Sequence, residues 1–176
     1  MGIFRREEKK VRETIELYVS GIIEKDLDML MSLIALDDDF LVINQNPFEK
    51  IIGAKKYYKA MDNFFLMNQD LEVNIEWMFL SVVDNMSWVN SEMIIKYVRG
   101  NMNFEEKRSM TFVLEKRRGD WFIVHIINLI EDVEEEEIVD NEVLEETEVY
   151  QFNSDDLNIE LGEKGVESEE SDLENQ

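Results

Sequence analysis

Hydrophobic positions first recur with a helical period and then, past residue 70, switch to alternation. Val11, Ile15, Tyr18 and Ile22, widened by Val19 and Ile23, form one apolar stripe over residues 6–25 and predict an amphipathic helix. Asp26 is suited both to end this helix and to cap a short second one, built on Leu27, Leu30, Met31, Leu33 and Ile34. Asp37-Asp38-Asp39 closes that helix, and Phe40–Asn44 reads as a short strand broken at Asn46-Pro47. Gly53 precedes a third helix near 54–67, with Tyr57, Tyr58, Met61, Phe64 and Phe65 along its apolar side. Lys55, Lys56 and Lys59 fall on its wet side.

From Asp70 the alternation predicts strands. Val73, Ile75, Trp77 and Phe79 share one parity; Asn74 and Glu76 begin the other, which turns apolar at Met78, Leu80 and Val82. After a turn at Asp84-Asn85, Trp88, Asn90, Glu92 and Ile94 alternate with Val89, Ser91, Met93, Ile95 and Tyr97. Arg99-Gly100-Asn101 turns the chain into a closing hairpin, Arg108 to Ile130, with its own turn at Arg117-Arg118-Gly119-Asp120. Its return strand places Trp121, Ile123, His125, Ile127 and Leu129 on one face and Phe122, Val124, Ile126, Asn128 and Ile130 on the other. Both faces are apolar, so both need cover. Helices can cover one; a second copy of the chain is the cheapest cover for the other. The expected fold is α+β, three N-terminal helices on one face of a curved antiparallel sheet, forming a homodimer through the sheet.

Charge changes the picture only at the end of the chain. Of the formal net charge of −23, residues 131–176 carry −19 and residues 1–130 the remaining −4. The expected division is therefore a folded domain over 1–130 and an acidic, mostly disordered tail over 131–176, too poor in apolar surface to offset its ordering entropy. That tail either solubilises the domain or docks a protein partner. Such acidity argues against nucleic-acid binding, which needs basic surface. Cysteine is absent, so disulfides and thiolate metal sites are excluded. With no apolar run of transmembrane length and no signal-peptide core, the expected location is cytoplasmic, with no membrane partner.

The element order, together with Lys25-Asp26, Gly53, Val83-Asp84 and above all Arg108–Lys116 followed by Gly119-Asp120-Trp121-Phe122-Ile123-Val124-His125, resembles the SnoaL-like branch of the NTF2-like superfamily over roughly residues 8–130. The resemblance implies a cone with a pocket between the sheet's concave face and the helices, and dimers packed through the sheets. It also implies a choice among isomerase, dehydratase, cyclase and plain ligand-binding or assembly roles, which fold alone does not decide. The branch commonly continues after its Val-His with a second His and then a Ser. This chain has Ile127 and Leu129 there, which implies a drier cavity end less suited to acid–base chemistry.

The candidate pocket residues are Tyr18, Tyr57, Tyr58, Trp77, Glu92, Arg108 and His125. An enzyme of ketosteroid-isomerase type needs a carboxylate base in an apolar cavity and a Tyr or protonated acid as oxyanion donor. Glu92 or Glu76 is the available base, and Tyr18, Tyr57 or Tyr58 the donor. Against this, Glu92 and Arg108 on neighbouring strands suit a cross-strand ion pair pointing into the cone. His125, the single histidine, suits a core or interface role and excludes two-histidine metal sites. The three adjacent aspartates 37–39 suit a solvated loop better than a cation site, since neighbouring side chains rarely converge on one ion. The favoured function is a non-catalytic module that dimerises and binds a small apolar ligand, with no cofactor or metal. The alternatives are a SnoaL-like isomerase, dehydratase or cyclase using a buried carboxylate, and a regulatory module acting through its tail.

Overall fold

The computed structural model describes residues 2–36, 38, 40–45 and 48–138, with side chains from Arg5 onward. Three helices, α1 (Gly2–Ile23), α2 (Leu27–Leu33) and α3 (Ala54–Met67), accompany six strands: β1 (Leu41–Gln45), β2 (Phe48–Ile52), β3 (Gln69–Val83), β4 (Met86–Arg99), β5 (Met102–Arg117) and β6 (Asp120–Glu137). The strands form one open, curved sheet in the order β2-β1-β6-β5-β4-β3. All neighbours are antiparallel except β1 and β6, which makes the sheet mixed rather than purely antiparallel. The architecture is an α+β NTF2-like cone.

α1 lays Val11, Ile15, Tyr18, Val19 and Ile22 into the core, the stripe read from the sequence. Lys25 takes a left-handed φ of 56°, and the Asp26 side chain accepts a hydrogen bond from the Met29 amide at 2.8 Å, so Asp26 caps α2. α2 crosses α1 closely at Gly21, where an added Cβ would lie 2.9 Å from Leu30 Cδ2. The end of α2 then joins the sheet through the Ala35 amide, which donates to the Ile123 carbonyl at 2.8 Å. At the far end of α3, the fully buried Asn68 bonds its amide nitrogen to the Phe64 carbonyl and accepts from Arg99 Nε at 2.9 Å. Asn68 thereby fixes the helix end against β4 and satisfies a carbonyl that a helix terminus leaves open.

β2 is an addition to the expected elements. Only Ile51 of β2 is buried, and Phe48 and Ile52 are exposed, so Phe-Glu-Lys-Ile-Ile carries no alternation to announce a strand. Pairing of Val42 with Ile51 holds it against β1. β6 also runs further than expected: it pairs with β5 as far as Met102↔Glu137, into the acidic segment placed in the tail. Residues 139–176, which hold the rest of that segment, lie outside the described residues, as do Asp37 and Asp39.

Of four register shifts among the described residues of the sheet, two decide which way the candidate side chains face. Ile75 pairs with Met93 and Trp77 with Glu92, leaving Glu76 extra in β3; Leu114 pairs with Ile123 and Val113 with His125, leaving Val124 extra in β6. An extra residue exchanges the two faces of everything beyond it. The inner face of β3 is therefore Val73, Ile75, Met78, Leu80 and Val82, whereas Trp77 and Phe79 turn outward and stack on each other at 6.3 Å. In β6 the inner face is Trp121, Ile123, Ile126 and Asn128. His125 is exposed on the opposite side, not on the face of Trp121. Ile127 and Leu129 follow His125 outward, so they do not dry the cavity.

Candidate functional site

The inner face of β1, β6, β5 and β4, roofed by α1 and α3, encloses a cavity of about 280 Å³. Its wall is mostly apolar: Ile22 from α1, Met61 and Phe64 from α3, and Ile51, Ile95, Met110 and Ile126 from the strands. Six polar residues also line it, and the strand register explains four of them. Arg108 of β5 pairs with Ile130, one inward step from Asn128 of β6; Asn128 lies beside Asn44 of β1, and Asn44 opposite Glu49 of β2. Arg108, Asn128, Asn44 and Glu49 thus form a polar ledge crossing four adjacent strands. Tyr18 and Tyr57 complete the set from the helices.

The two phenols touch: their hydroxyl oxygens are 2.7 Å apart, and both rings are almost fully buried. Tyr18 packs edge-on against Phe112 and Tyr57 against Phe40, which fixes both rings. Burial pushes the Tyr18 phenol up to about 12, opposed by its bond with Tyr57 and by the positive charge of Arg108. Burial, with Tyr18 adding to it, pushes Tyr57 well above the ordinary phenol range. A third phenol, Tyr97, is pushed up to about 12 by partial burial and then by its 2.7 Å bond to Glu106.

Arg108 is held in place by Glu106, two residues along the same strand, through Nε at 2.7 Å and through Nη2. Glu106 is only 6% exposed, and both its oxygens are committed, one to Arg108 and the other to Tyr97. This corrects the expected partner of Arg108. Glu92 pairs with Ser109 and Trp77 on the outer face and does not enter the cone. Of the candidate residues, Tyr18, Tyr57 and Arg108 line the cavity. Trp77, Glu92 and His125 are on the other side of the sheet, and Tyr58 is on the exposed side of α3. Glu76 is exposed at its bulge, where it accepts from the Asn74 side chain.

Asn44, Asn128 and Glu49 were not among the expected pocket residues. A signal existed for two of them: Asn44 is the polar residue of Phe40–Asn44, and Asn128 interrupts an otherwise apolar run from Ile126 to Ile130. Glu49 gave none, because its strand had none. Among the described residues no group of three or more His, Asp or Glu side chains is placed to hold a metal ion, and no helix is long and apolar enough to cross a membrane.

The raised phenols make a testable statement about alkaline stability. They stay neutral in the folded core, while an unfolded tyrosine ionises near pH 10. Above that pH the unfolded chain binds fewer protons, so stability present below about pH 10 is lost as pH rises through about 12. The urea midpoint is expected to fall between about pH 9 and about pH 11. Over the same range the native chain should show less phenolate absorbance than the unfolded one. Full ionisation of every tyrosine near pH 10 in a chain that is still folded would contradict this.

Comparison with known structures supports the same architecture. A hexachlorocyclohexane dehydrochlorinase of type 3 from Novosphingobium barchaimii superimposes with a TM-score of 0.67 at 13% identity, covering 77% of this chain and 94% of that one. A provisionally assigned scytalone dehydratase from Novosphingobium aromaticivorans gives 0.69 at 12% identity, covering 79% and 94%. An NTF2-like protein of unknown function from Pseudomonas putida gives 0.61 at 12% identity, covering 71% and 87%. At such identities the likeness concerns the fold alone. No curated protein matches the sequence. The family model for the SnoaL-like domain matches residues 11–127, and the chain therefore belongs to the SnoaL-like domain family of the NTF2-like superfamily.

Proposed function

We propose that this chain is a ligand-binding module that takes a small, mainly apolar molecule into the cone and pairs with a second copy through the outer face of its sheet. The observation that carries the binding reading is the state of the polar groups around the cavity. The Arg108 charge is balanced by Glu106, and the paired phenols of Tyr18 and Tyr57 hold their protons far above neutrality. Such groups orient a ligand but are poorly matched to proton transfer at neutral pH, where a useful acid or base has a pKa near the working pH. The pairing reading rests on Trp77, Phe79 and Trp88, large side chains on the outer face that are 41–55% exposed in the single chain. The acidic segment after Val139 acts as a solubilising or partner-docking accessory. The charge balance favours protein over nucleic-acid partners, and the setting is cytoplasmic.

A second reading has some support, since a dehydrochlorinase and an assigned dehydratase share the fold. An isomerase, dehydratase or cyclase would need a base. Glu106 has both oxygens engaged, and Glu76 and Glu92 do not border the cavity, which leaves Glu49 at its rim.

Thermal denaturation with a panel of small aromatic and aliphatic probes separates the two. Probes that bind should stabilise the wild-type chain by about 2.7 kcal/mol at a hundred-fold excess over Kd. Met61→Trp, which fills the cavity, should abolish the effect. Glu49→Gln, and a chain ending at Val139, should leave it unchanged. Turnover of a probe that disappears in Glu49→Gln would place the enzyme reading first.

A further inference from the structure

Among the described residues, one buried side-chain oxygen at the cavity has no hydrogen-bond partner. It is Oδ1 of Asn128, a residue 8% exposed whose Nδ2 donates to Asn44 Oδ1 at 3.1 Å. Buried acceptors are nearly always paired, and an unpaired one beside an empty space is a place for a donor from elsewhere. The β-bulge at Val124 turns this amide inward, so its position is set by backbone geometry. One inward step away, Arg108 spends Nε and Nη2 on Glu106, and among the described residues Nη1 has no partner. A donor and an acceptor therefore stand side by side on the ledge.

The surrounding charge narrows the choice. Glu106 cancels Arg108, and Glu49 adds a negative charge at the rim, so an anion gains nothing on entering. The rest of the wall is apolar.

We infer that the cavity selects an uncharged, mainly apolar molecule carrying a hydrogen-bond donor next to an acceptor, as in a carboxamide or a hydroxycarbonyl compound. The donor goes to Asn128 Oδ1 and the acceptor faces Arg108. This names the ligand class for the binding reading above and rests on that reading.

Four matched probes test it on the full chain by calorimetry: benzamide, N,N-dimethylbenzamide, benzoate and ethylbenzene. A site built to accept from a ligand N–H rejects analogues that lack it. Benzamide should bind about ten-fold or more tightly than the dimethyl amide and the benzoate. Asn128→Leu should remove that preference while ethylbenzene binding persists. The ranking on the wild-type chain stands as a test even if Asn128→Leu does not fold. Benzoate binding as well as benzamide, or a benzamide preference that survives Asn128→Leu, overturns the inference. Ethylbenzene binding as tightly as benzamide also overturns it and leaves an ordered water as the partner of Asn128. Failure of all four probes to bind counts instead against the binding reading, and the inference falls with it.

Discussion

Replacing Arg108 with methionine is expected to lower the unfolding free energy by about 3–5 kcal/mol, because it strands a buried carboxylate. The Glu106 side chain is 8% exposed and that of Arg108 15%, so neither charge has much water to fall back on. With Arg108 gone, one Glu106 oxygen keeps the Tyr97 hydroxyl and the other loses its bonds to the guanidinium. Adding Glu106→Gln to Arg108→Met should recover most of the loss, since a neutral amide is far cheaper to bury than an unpaired charge. Urea denaturation of the two single variants and the double variant forms the cycle. Strictly additive losses would show that the pair does not act as a unit, and would also weaken the view of Arg108 as a neutralised donor at the ledge.

The second large effect concerns assembly. Substituting both Trp77 and Trp88 with glutamate should turn a dimer into a folded monomer, as read by light scattering. Each indole is about half exposed, so pairing would cover on the order of 100 Å² per ring, worth roughly 2.5 kcal/mol. The substitutions occur in both copies and bring like charges together, so Kd should rise by at least about a hundred-fold. Neither ring belongs to the inner core, so the thermal transition should survive. A wild-type chain that is monomeric at high concentration would end the pairing reading, and a double variant that still dimerises would move the interface elsewhere.

Much of this molecule was legible in one dimension. The helical stripe of α1, the aspartate joint before α2 and the bounds of α3 follow from periodicity and capping chemistry, which act over a few residues. The alternation in β4 needed no correction, because its pairing with β5 is unbroken over its whole length. Errors arose where the alternation carried a hidden extra residue. Glu76 and Val124 look ordinary in sequence, since a bulge is decided by the partner strand and not by the bulged residue itself. Each reversed the orientation of functional candidates: Trp77 in β3 and His125 in β6. The ion pair was misassigned for a related reason. Glu92 and Arg108 do lie on neighbouring strands, but their registers place them on opposite faces, while Glu106 shares both strand and face with Arg108. The ledge was illegible as a unit because it is assembled from four strands, one of which, β2, has no apolar rhythm.

The open order of the sheet leaves β2 and β3 at its margins, where among the described residues no further strand pairs with them. The long margin is guarded: β3 carries Asp70, Glu72 and Glu76, and its kink at Glu76 spoils the straight template that fibril growth requires. The short margin offers only a five-residue strand bearing Glu49 and Lys50. Lateral strand addition is thereby discouraged on both flanks, which leaves the outer face of the sheet, and not an edge, for the pairing proposed above.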